Sequence, residues 1–464
     1  MSESSGYLGK KGYTVHKSQL NDKQIEEIKN ELTLKPVTPG QRYGQATAES
    51  FPVYRENANK LYVPRFYGEQ RFGAPTKTET SPGEDVQLEF TKQLRDYQEE
   101  IIKVYMDHVQ NGSGGGILEV PCGKGKTVMA LKIICNIQKK TLILVHKEFL
   151  MNQWIERIEE FVPSARVGKI QAQICDIEDK DIVIGMIQTM YTKTYEQSIY
   201  DQFGLTIIDE VHRIGSEEFS KTLLKTITPY MLGISATVER KDKLTKLLYM
   251  FIGPKIYSEK REGEDEVTVR AINYHSLDDG FNTVDVDYRG QTKYSTMIRK
   301  LCEYGPRSDF IVRIIKDLIE ENPAGQIMIL AHNKSLLKYI FEKVTHMEIA
   351  TAGYYIGGMK QKALQETETK QIVIATYAMA AEALDIKSLS RLIMATPKSD
   401  ITQSVGRILR MKHDNPIIVD ICDSHDCFQN QWYQRRRFYK QNKYKMVRIN
   451  SENYNTDFDS WKII

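Results

Sequence analysis

The chain has 464 residues, with 64 Lys and Arg against 61 Asp and Glu, a formal net charge of +3. That length exceeds what one hydrophobic core fills, so two or three domains are expected, and 41% hydrophobic with 27% charged residues excludes wholesale disorder. The longest apolar runs, such as 327–331, fall far short of the ~20 residues of a membrane-spanning helix, no apolar stretch with a cleavage site follows Met1, and six irregularly spaced cysteines make no disulfide framework, so an intracellular, reducing location without a membrane partner is expected.

In chain order, the first 90 residues hold six of the 14 prolines and little sustained period. They read as a small N-terminal accessory module, 1–90, with a helix over 22–32 and an aromatic stretch at 61–68 (LYVPRFYG). From residue 94 short apolar runs recur at 117–120, 141–145, 181–184, 205–208 and 232–235, separated by amphipathic segments such as 128–137 and 149–161. Continuous apolar strands alternating with helices predict a parallel sheet covered on both faces. A polar stretch at 258–266 interrupts the rhythm and opens a linker, 258–285. Apolar runs resume at 326–331, 371–375, 391–395 and 416–420. The expected architecture is α/β: two tandem parallel-sheet domains, 91–257 and 286–427, after the accessory module and before a basic, aromatic C-terminal extension, 428–464. Ligands in such folds bind outside the C-terminal ends of the strands.

Residues 120–127 read VPCGKGKT, directly after a predicted strand and opening a predicted helix, the context that identifies a phosphate-binding loop. Gly123 and Gly125 let the backbone wrap closely, so that amide N–H groups of the loop, which also holds Pro121, Cys122 and Lys124, point at phosphate oxygens. Lys126 supplies a point charge for the terminal phosphates, and Thr127 offers a hydroxyl to Mg²⁺. The alternative is a glycine-rich turn with a chance Lys-Thr. The glycine run at 112–116 precedes the strand and reads as a flexible loop. Two adjacent carboxylates, Asp209 and Glu210, follow the predicted strand 205–208. At a strand end beside a nucleotide, Asp209 suits Mg²⁺ held through its water shell, and Glu210 suits orienting and polarising an attacking water. In isolation the same pair reads as a solvated turn.

Taken together, these segments resemble the motif set of superfamily 2 helicases, in order over about residues 90–425. Residues 94–98 (LRDYQ) look like the adenine-reading Q motif, with Gln98 as the reader. VPCGKGKT resembles motif I and DEVH at 209–212 motif II. Ser235, Ala236 and Thr237 resemble motif III, which couples nucleotide state to nucleic-acid grip, with His212 as a hydrogen-bonding coupler towards it. Gln188 and Thr189 match a strand-contacting segment. Residues 329–333 (ILAHN) resemble motif IV, 375–386 (ATYAMAAEALDI) motif V, and 403–410 (QSVGRILR) motif VI, with Gln403 and with Arg407 and Arg410 in the arginine-finger positions. Val120 and Ala383 stand where the pattern often has glycine. LRDYQ, PCGKGKT and DEVH are similar to the XPB-like DNA helicases, and LYVPRFYG with the compact length is similar to the transcript-release helicases of poxviruses and other large cytoplasmic DNA viruses.

The resemblance implies two RecA-like domains, ATP and Mg²⁺ as cofactors with Asp385 among the nucleotide contacts, and ATP-driven closure of the domains. It implies an ATP-dependent DNA helicase or translocase acting in viral transcription. Its partners would be DNA, without sequence specificity, and an RNA polymerase or transcription complex. An RNA helicase of the same fold and a non-unwinding, nucleotide-gated factor of a polymerase complex are the alternatives. Host cytoplasm, viral factory, virion and nucleus are all compatible locations. His332, Thr189, Thr376 and backbone amides near Gly353 are expected to contact phosphates, which positions a strand rather than reading bases. Cys422, His425 and Cys427 give three candidate ligands but no fourth, too few for structural zinc. Residues 428–448 interleave Trp432, Tyr433, Phe438, Tyr439 and Tyr444 with seven basic residues. That pattern fits either a strand-tracking surface or a terminal helix that packs its aromatics on the second domain while its cations stay solvated. The segment 425–464 carries eight Lys and Arg against four acids, which leaves the rest of the chain at −1. The small total therefore does not argue against a nucleic-acid partner.

Overall fold

The computed structural model describes residues 6–36, 49–112, 114–121, 123–211, 216–239, 244–259, 266–382, 386–409, 413 and 415–464. The chain divides into two compact units, Met1–Lys260 and Arg261–Ile464, each taken by itself.

The first unit opens with a small antiparallel sheet of β1 (Tyr7–Gly9), β2 (Gly12–His16), β3 (Arg55–Glu56) and β4 (Lys60–Val63), in the order β1-β2-β4-β3. Helix α1 (Asp22–Glu31) starts at a reciprocal capping box, in which Asn21 and Gln24 each accept the other's backbone N–H. The LYVPRFYG stretch divides at Pro64, which lacks the N–H a strand needs: β4 ends before it and helix α2 (Arg65–Phe72) begins after it. These residues share one apolar core with the following domain, since Tyr13, Leu61 and Phe66 are buried in the cluster that holds Ile117, Met231 and Phe251. Arg65 fixes the contact by donating from Nη1 to the Pro229 carbonyl at 2.8 Å.

The main sheet has eight strands: β5 (Gly115–Glu119), β6 (Thr141–Val145), β7 (Val167–Gln171), β8 (Ile174–Asp176), β9 (Ile182–Met186), β10 (Leu205–Asp209), β11 (Tyr230–Ser235) and β12 (Lys255–Ser258). Their order is β8-β7-β9-β6-β10-β11-β5-β12, and every neighbouring pair is parallel except β8 with β7. Every residue of β6 and β10 is buried, as a sheet covered by helices on both faces requires. Among those helices are α3 (Asp96–Gln110), α4 (Lys126–Ile137) and α5 (Glu148–Phe161). The glycine run expected to be a loop is partly strand. Gly115 and Gly116 begin β5, and a Cβ at Gly115 would lie 2.4 Å from both the Ile252 carbonyl oxygen and the Phe66 ring, so close packing selects the missing side chain.

The second unit is built on β13 (Thr268–Tyr274), β14 (Gln326–Ala331), β15 (Ala352–Tyr355), β16 (Ile372–Thr376), β17 (Leu389–Met394), β18 (Ile417–Asp423), β19 (Lys445–Asn450) and β20 (Lys462–Ile463). The order is β15-β16-β14-β17-β18-β13-β19-β20, parallel throughout except for β19 with β20. Helices α6 (Gly305–Glu321), α7 (Lys334–His346), α8 (Thr402–Ile408) and α9 (Asp426–Gln441) lie in this unit. Two sequence-derived boundaries differ from what is found. The segment drawn as a linker contains β13, an interior strand flanked by β18 and β19. The C-terminal extension supplies β19 and β20 to the same sheet.

The buried face of α9 explains that integration. Phe428, Trp432, Arg435 and Tyr439 recur every three or four residues and are all buried. Arg435 donates from Nε and Nη2 to the two oxygens of Asp420 at 2.8 and 2.9 Å, and the Tyr439 hydroxyl donates to Asp420 Oδ2 at 2.9 Å. A second wholly buried pair joins Arg307 to Asp423 through bonds of 2.6 and 2.8 Å. His425 is used structurally, with Nε2 2.7 Å from the Phe281 carbonyl oxygen. No described helix is long and apolar enough to cross a membrane.

Candidate active site

The site is assembled at the C-terminal ends of β5, β10 and β11, which lie side by side as β10-β11-β5. The loop after β5 turns through two glycines in the left-handed region, Gly123 at φ 85° and Gly125 at φ 80°, and Gly125 is the N-cap of α4. Lys126 and Thr127 form the first turn of that helix, half-buried, as is Pro121 before them. The loop's amides and the positive end of α4 thus face the same region.

Gln98 is buried and braces this loop from below. Its Oε1 accepts from Arg95 N at 3.0 Å, and its Nε2 donates to the Lys124 carbonyl at 2.9 Å. The Tyr97 hydroxyl donates to the same carbonyl at 3.2 Å. A Cβ on Gly125 would stand 2.4 Å from Gln98 Nε2, so glycine is needed there for space as well as for φ. The Lys124 side chain turns away, 4.7 Å above the Tyr97 ring and 3.0 Å from Glu259.

Asp209 ends β10 and is buried. Burial and the neighbouring Glu210 carboxylate push its acidity towards neutrality, while the Trp154 indole and the Lys126 ammonium favour the charged form. The Trp154 N–H donates to Asp209 Oδ2 at 2.9 Å and fixes the carboxylate's orientation. Glu210 has φ 51°, a left-handed conformation that costs a non-glycine residue about 1–2 kcal/mol. Ser235, at the end of β11, places its hydroxyl 3.4 Å from Glu210 Oε2 and 2.6 Å from the Thr237 carbonyl. Ala236 and Thr237 are half-buried beside it.

Trp154 and Glu119 are site residues the sequence reading missed. Trp154 sits on the amphipathic helix α5 with nothing in its spacing to mark it. Glu119 carried a signal, an acid inside the apolar run before the phosphate loop. It accepts from Val238 N at 2.7 Å, from Lys255 Nζ at 2.8 Å and from the Ser258 hydroxyl at 2.6 Å, so it ties β5 to β12 and to the segment after Thr237. Burial raises its pKa, but Lys255, Ser258 and the Val238 amide outweigh burial and hold it below the usual carboxylate range. Such a group adds stability above the unfolded-state pKa, and that stability is lost as pH falls through the depressed native value. Acid unfolding of Glu119→Gln should therefore lack part of the wild-type pH dependence below about pH 4.5, a difference read by titrating fluorescence against pH.

Trp154→Phe keeps most of the packing and deletes the donor. Loss of a hydrogen bond to a charged group is worth about 1.5–3 kcal/mol, so a lower melting temperature and slower ATP turnover are expected together. A fall in melting temperature with unchanged turnover would make Trp154 a packing residue only.

The remaining predicted residues lie elsewhere. In the first unit Gln188 is exposed and donates to the His146 carbonyl at 3.1 Å, and the buried Thr189 hydroxyl accepts from Ala172 N at 3.0 Å. In the second unit Thr376 ends β16, and its hydroxyl accepts from Met379 N at 3.4 Å. His332 follows β14, with Nδ1 2.8 Å from the Thr396 hydroxyl. Gly353 is buried in the edge strand β15, where a Cβ would stand 2.7 Å from the Thr367 hydroxyl, so helix packing accounts for it. Gln403 is half-buried and Arg407 buried on α8. Cys122, His212, Asp385 and Arg410 lie outside the described residues.

A family model described as the type III restriction enzyme res subunit matches residues 91–240. Over 465 residues the chain is 33% identical to a protein of Acanthamoeba polyphaga mimivirus named as an ATP-dependent RNA helicase, covering 97% of this chain and 88% of that one. The chain belongs to the superfamily 2 helicases. Membership implies ATP hydrolysis and nucleic-acid binding. This helicase is also 25% identical, over 373 residues, to a Sulfurisphaera tokodaii protein named a DNA 3′-5′ translocase, covering 71% of the helicase and 81% of the relative. Among solved structures, S. cerevisiae Dbp5 bound to RNA and ADP BeF3 matches with a TM-score of 0.54 at 12% identity, covering 78% of the helicase and 91% of Dbp5. That likeness is one of fold and fits two RecA-like parallel-sheet domains.

Proposed function

We propose that this helicase is an ATP-driven translocase on DNA that serves viral transcription. The observation that carries the catalytic part is the buried, indole-held Asp209 beside Glu210, at the strand ends that also bear the left-handed glycine loop and Lys126. A carboxylate and the Thr127 hydroxyl are hard oxygen donors of the kind Mg²⁺ takes, so Asp209 and Thr127 would hold the ion, directly or through water. When bound, Mg²⁺ would neutralise phosphate charge. The amides of the loop 121–125 bind phosphate oxygens, Lys126 places its ammonium on the terminal phosphates, and Glu210 orients water and takes its proton. Gln98 reads adenine while bracing the loop, and Asp385 adds a nucleotide contact. Arg407, with Gln403 on the same helix, and Arg410 stabilise the transferring phosphoryl group. Ser235 couples Glu210 to the strand-binding surface with His212, Ala236 and Thr237, which its hydroxyl's position 3.4 Å from Glu210 supports. Gln188, His332 and Thr376, with backbone amides of the segments that hold the buried Thr189 and Gly353, belong to the surface along which the strand passes.

DNA is favoured by the likeness of LRDYQ, PCGKGKT and DEVH to the XPB-like branch and by the relative named a DNA translocase. The mimivirus relative's name favours RNA, which is the second reading. The viral setting and a polymerase or transcription-complex partner rest on the viral relatives and on the likeness to transcript-release helicases. The test is ATP turnover with single-stranded DNA, duplex DNA and RNA of equal length. Stimulation by DNA is expected; stimulation by RNA alone would replace the first reading with the second.

A further inference from the structure

Helix α9 has a second face. Tyr433, Arg436, Arg437 and Lys440 follow one another at i, i+3, i+4 and i+7, turned about 120° around the helix from the buried stripe, and with Gln441 they line a shallow open groove. Tyr433 is 59% exposed, and Arg437 and Lys440 are exposed as well. Arg435 shows what a structural arginine looks like on this helix: buried and held at both ends by Asp420. Its neighbours differ. Among the described residues no carboxylate forms an ion pair with Arg436, Arg437 or Lys440. Three cations that pair with no described carboxylate and one exposed aromatic ring therefore share about 10 Å of helix, on a chain whose residues before 425 sum to −1. Cations spaced along a groove with an aromatic platform are complementary to a polyanion that also carries flat bases.

We propose that this face of α9 grips a single strand of the helicase's nucleic-acid track through its phosphodiesters, with a base stacked on Tyr433. The inference rests on the helicase reading above and adds a strand-holding surface outside the motif residues. On this helix the two sequence readings then apply to different faces: its aromatics other than Tyr433, and the buried Arg435, pack inward, and Arg436, Arg437 and Lys440 hold the strand. The cations address the phosphodiester, which DNA and RNA share, so the sugar is not discriminated here.

The test uses the full chain and fluorescent single-stranded DNA and RNA titrated over a range of salt. For a single strand each lost phosphate contact flattens the plot of log K against log salt by about 0.7. Arg437→Gln with Lys440→Gln should lower the slope by about 1.4 for both strands, and Tyr433→Ala should weaken binding about tenfold with little change in slope. These side chains are exposed, so unchanged melting temperatures are expected and report an intact fold. Wild-type slope and affinity in both variants would overturn the proposal and leave the helicase reading standing. No strand binding by the wild type at any salt would overturn the helicase reading itself. Equal competition by polyglutamate, insensitive to Tyr433→Ala, would make the face a dock for acidic protein and also overturn the proposal.

Discussion

Glu210→Gln is expected to cut ATP turnover by about 10²–10⁴-fold, the range over which a positioned general base acts, while nucleotide binding survives. Glu210 occupies a left-handed conformation directly after β10, where the strand has ended, whereas Asp209 is its last residue, buried and bonded to the Trp154 indole. Two adjacent carboxylates thereby acquire different surroundings and different work. Asp209 is desolvated and oriented, as a fixed anchor for an ion must be. Glu210 is half-buried and within reach of Ser235. The amide of Gln keeps size and one acceptor but cannot take a proton at neutral pH. Lys126→Ala serves as the contrast, since it removes charge from the phosphates and should weaken nucleotide binding as well as turnover. The measurement is kcat and nucleotide affinity for both variants. Wild-type turnover in Glu210→Gln would remove Glu210 from catalysis.

Arg435→Met should destabilise the second unit by about 3–5 kcal/mol, the cost of leaving a buried charge without its partner. Asp420 is fully buried, and Arg435 supplies two of the three donors it receives from Arg435 and Tyr439. The Tyr439 hydroxyl alone cannot replace a guanidinium. Replacing both partners, Asp420→Leu with Arg435→Met, should recover most of the loss, because an apolar pair removes the desolvation cost altogether. Urea unfolding followed by tryptophan fluorescence reads the effect, with Trp432 and Trp461 both buried in this unit. A single-variant loss below about 1 kcal/mol would contradict a stabilising role for the buried Arg435–Asp420 pair.

The same ion pairs explain what the sequence left hidden. The strands of the first sheet were legible because each is an uninterrupted apolar run, and 141–145 matches β6 residue for residue. The turn from β5 into α4 was legible because two glycines before Lys126 and Thr127 mark a strand-to-helix loop. Strand β13 was not legible, because Arg270 and Asn273 break its apolar pattern. Arg270 is nonetheless buried, with both ends of its guanidinium held 2.7 Å from Glu321 and its plane 3.4 Å from the Phe458 ring. Those partners are 51 and 188 positions away, beyond any window of local pattern. Strand β19 hid for a related reason: KMVRIN reads as part of a basic tail until β13 is known to lie beside it. Trp154 was invisible as a site residue because its role comes from the hydrogen bond of its indole to Asp209 at the end of β10, 55 positions away, which is a packing outcome and leaves no mark on spacing. Glu119 was visible and unread, since a charge in a buried strand demands partners.

Translocation itself is the central claim, and displacement of streptavidin from end-biotinylated single-stranded DNA tests it most directly. The account predicts ATP-dependent displacement from one end of the strand, lost in Glu210→Gln. DNA-stimulated ATP hydrolysis without displacement from either end would contradict it, and would leave a nucleotide-gated binding factor in place of a motor.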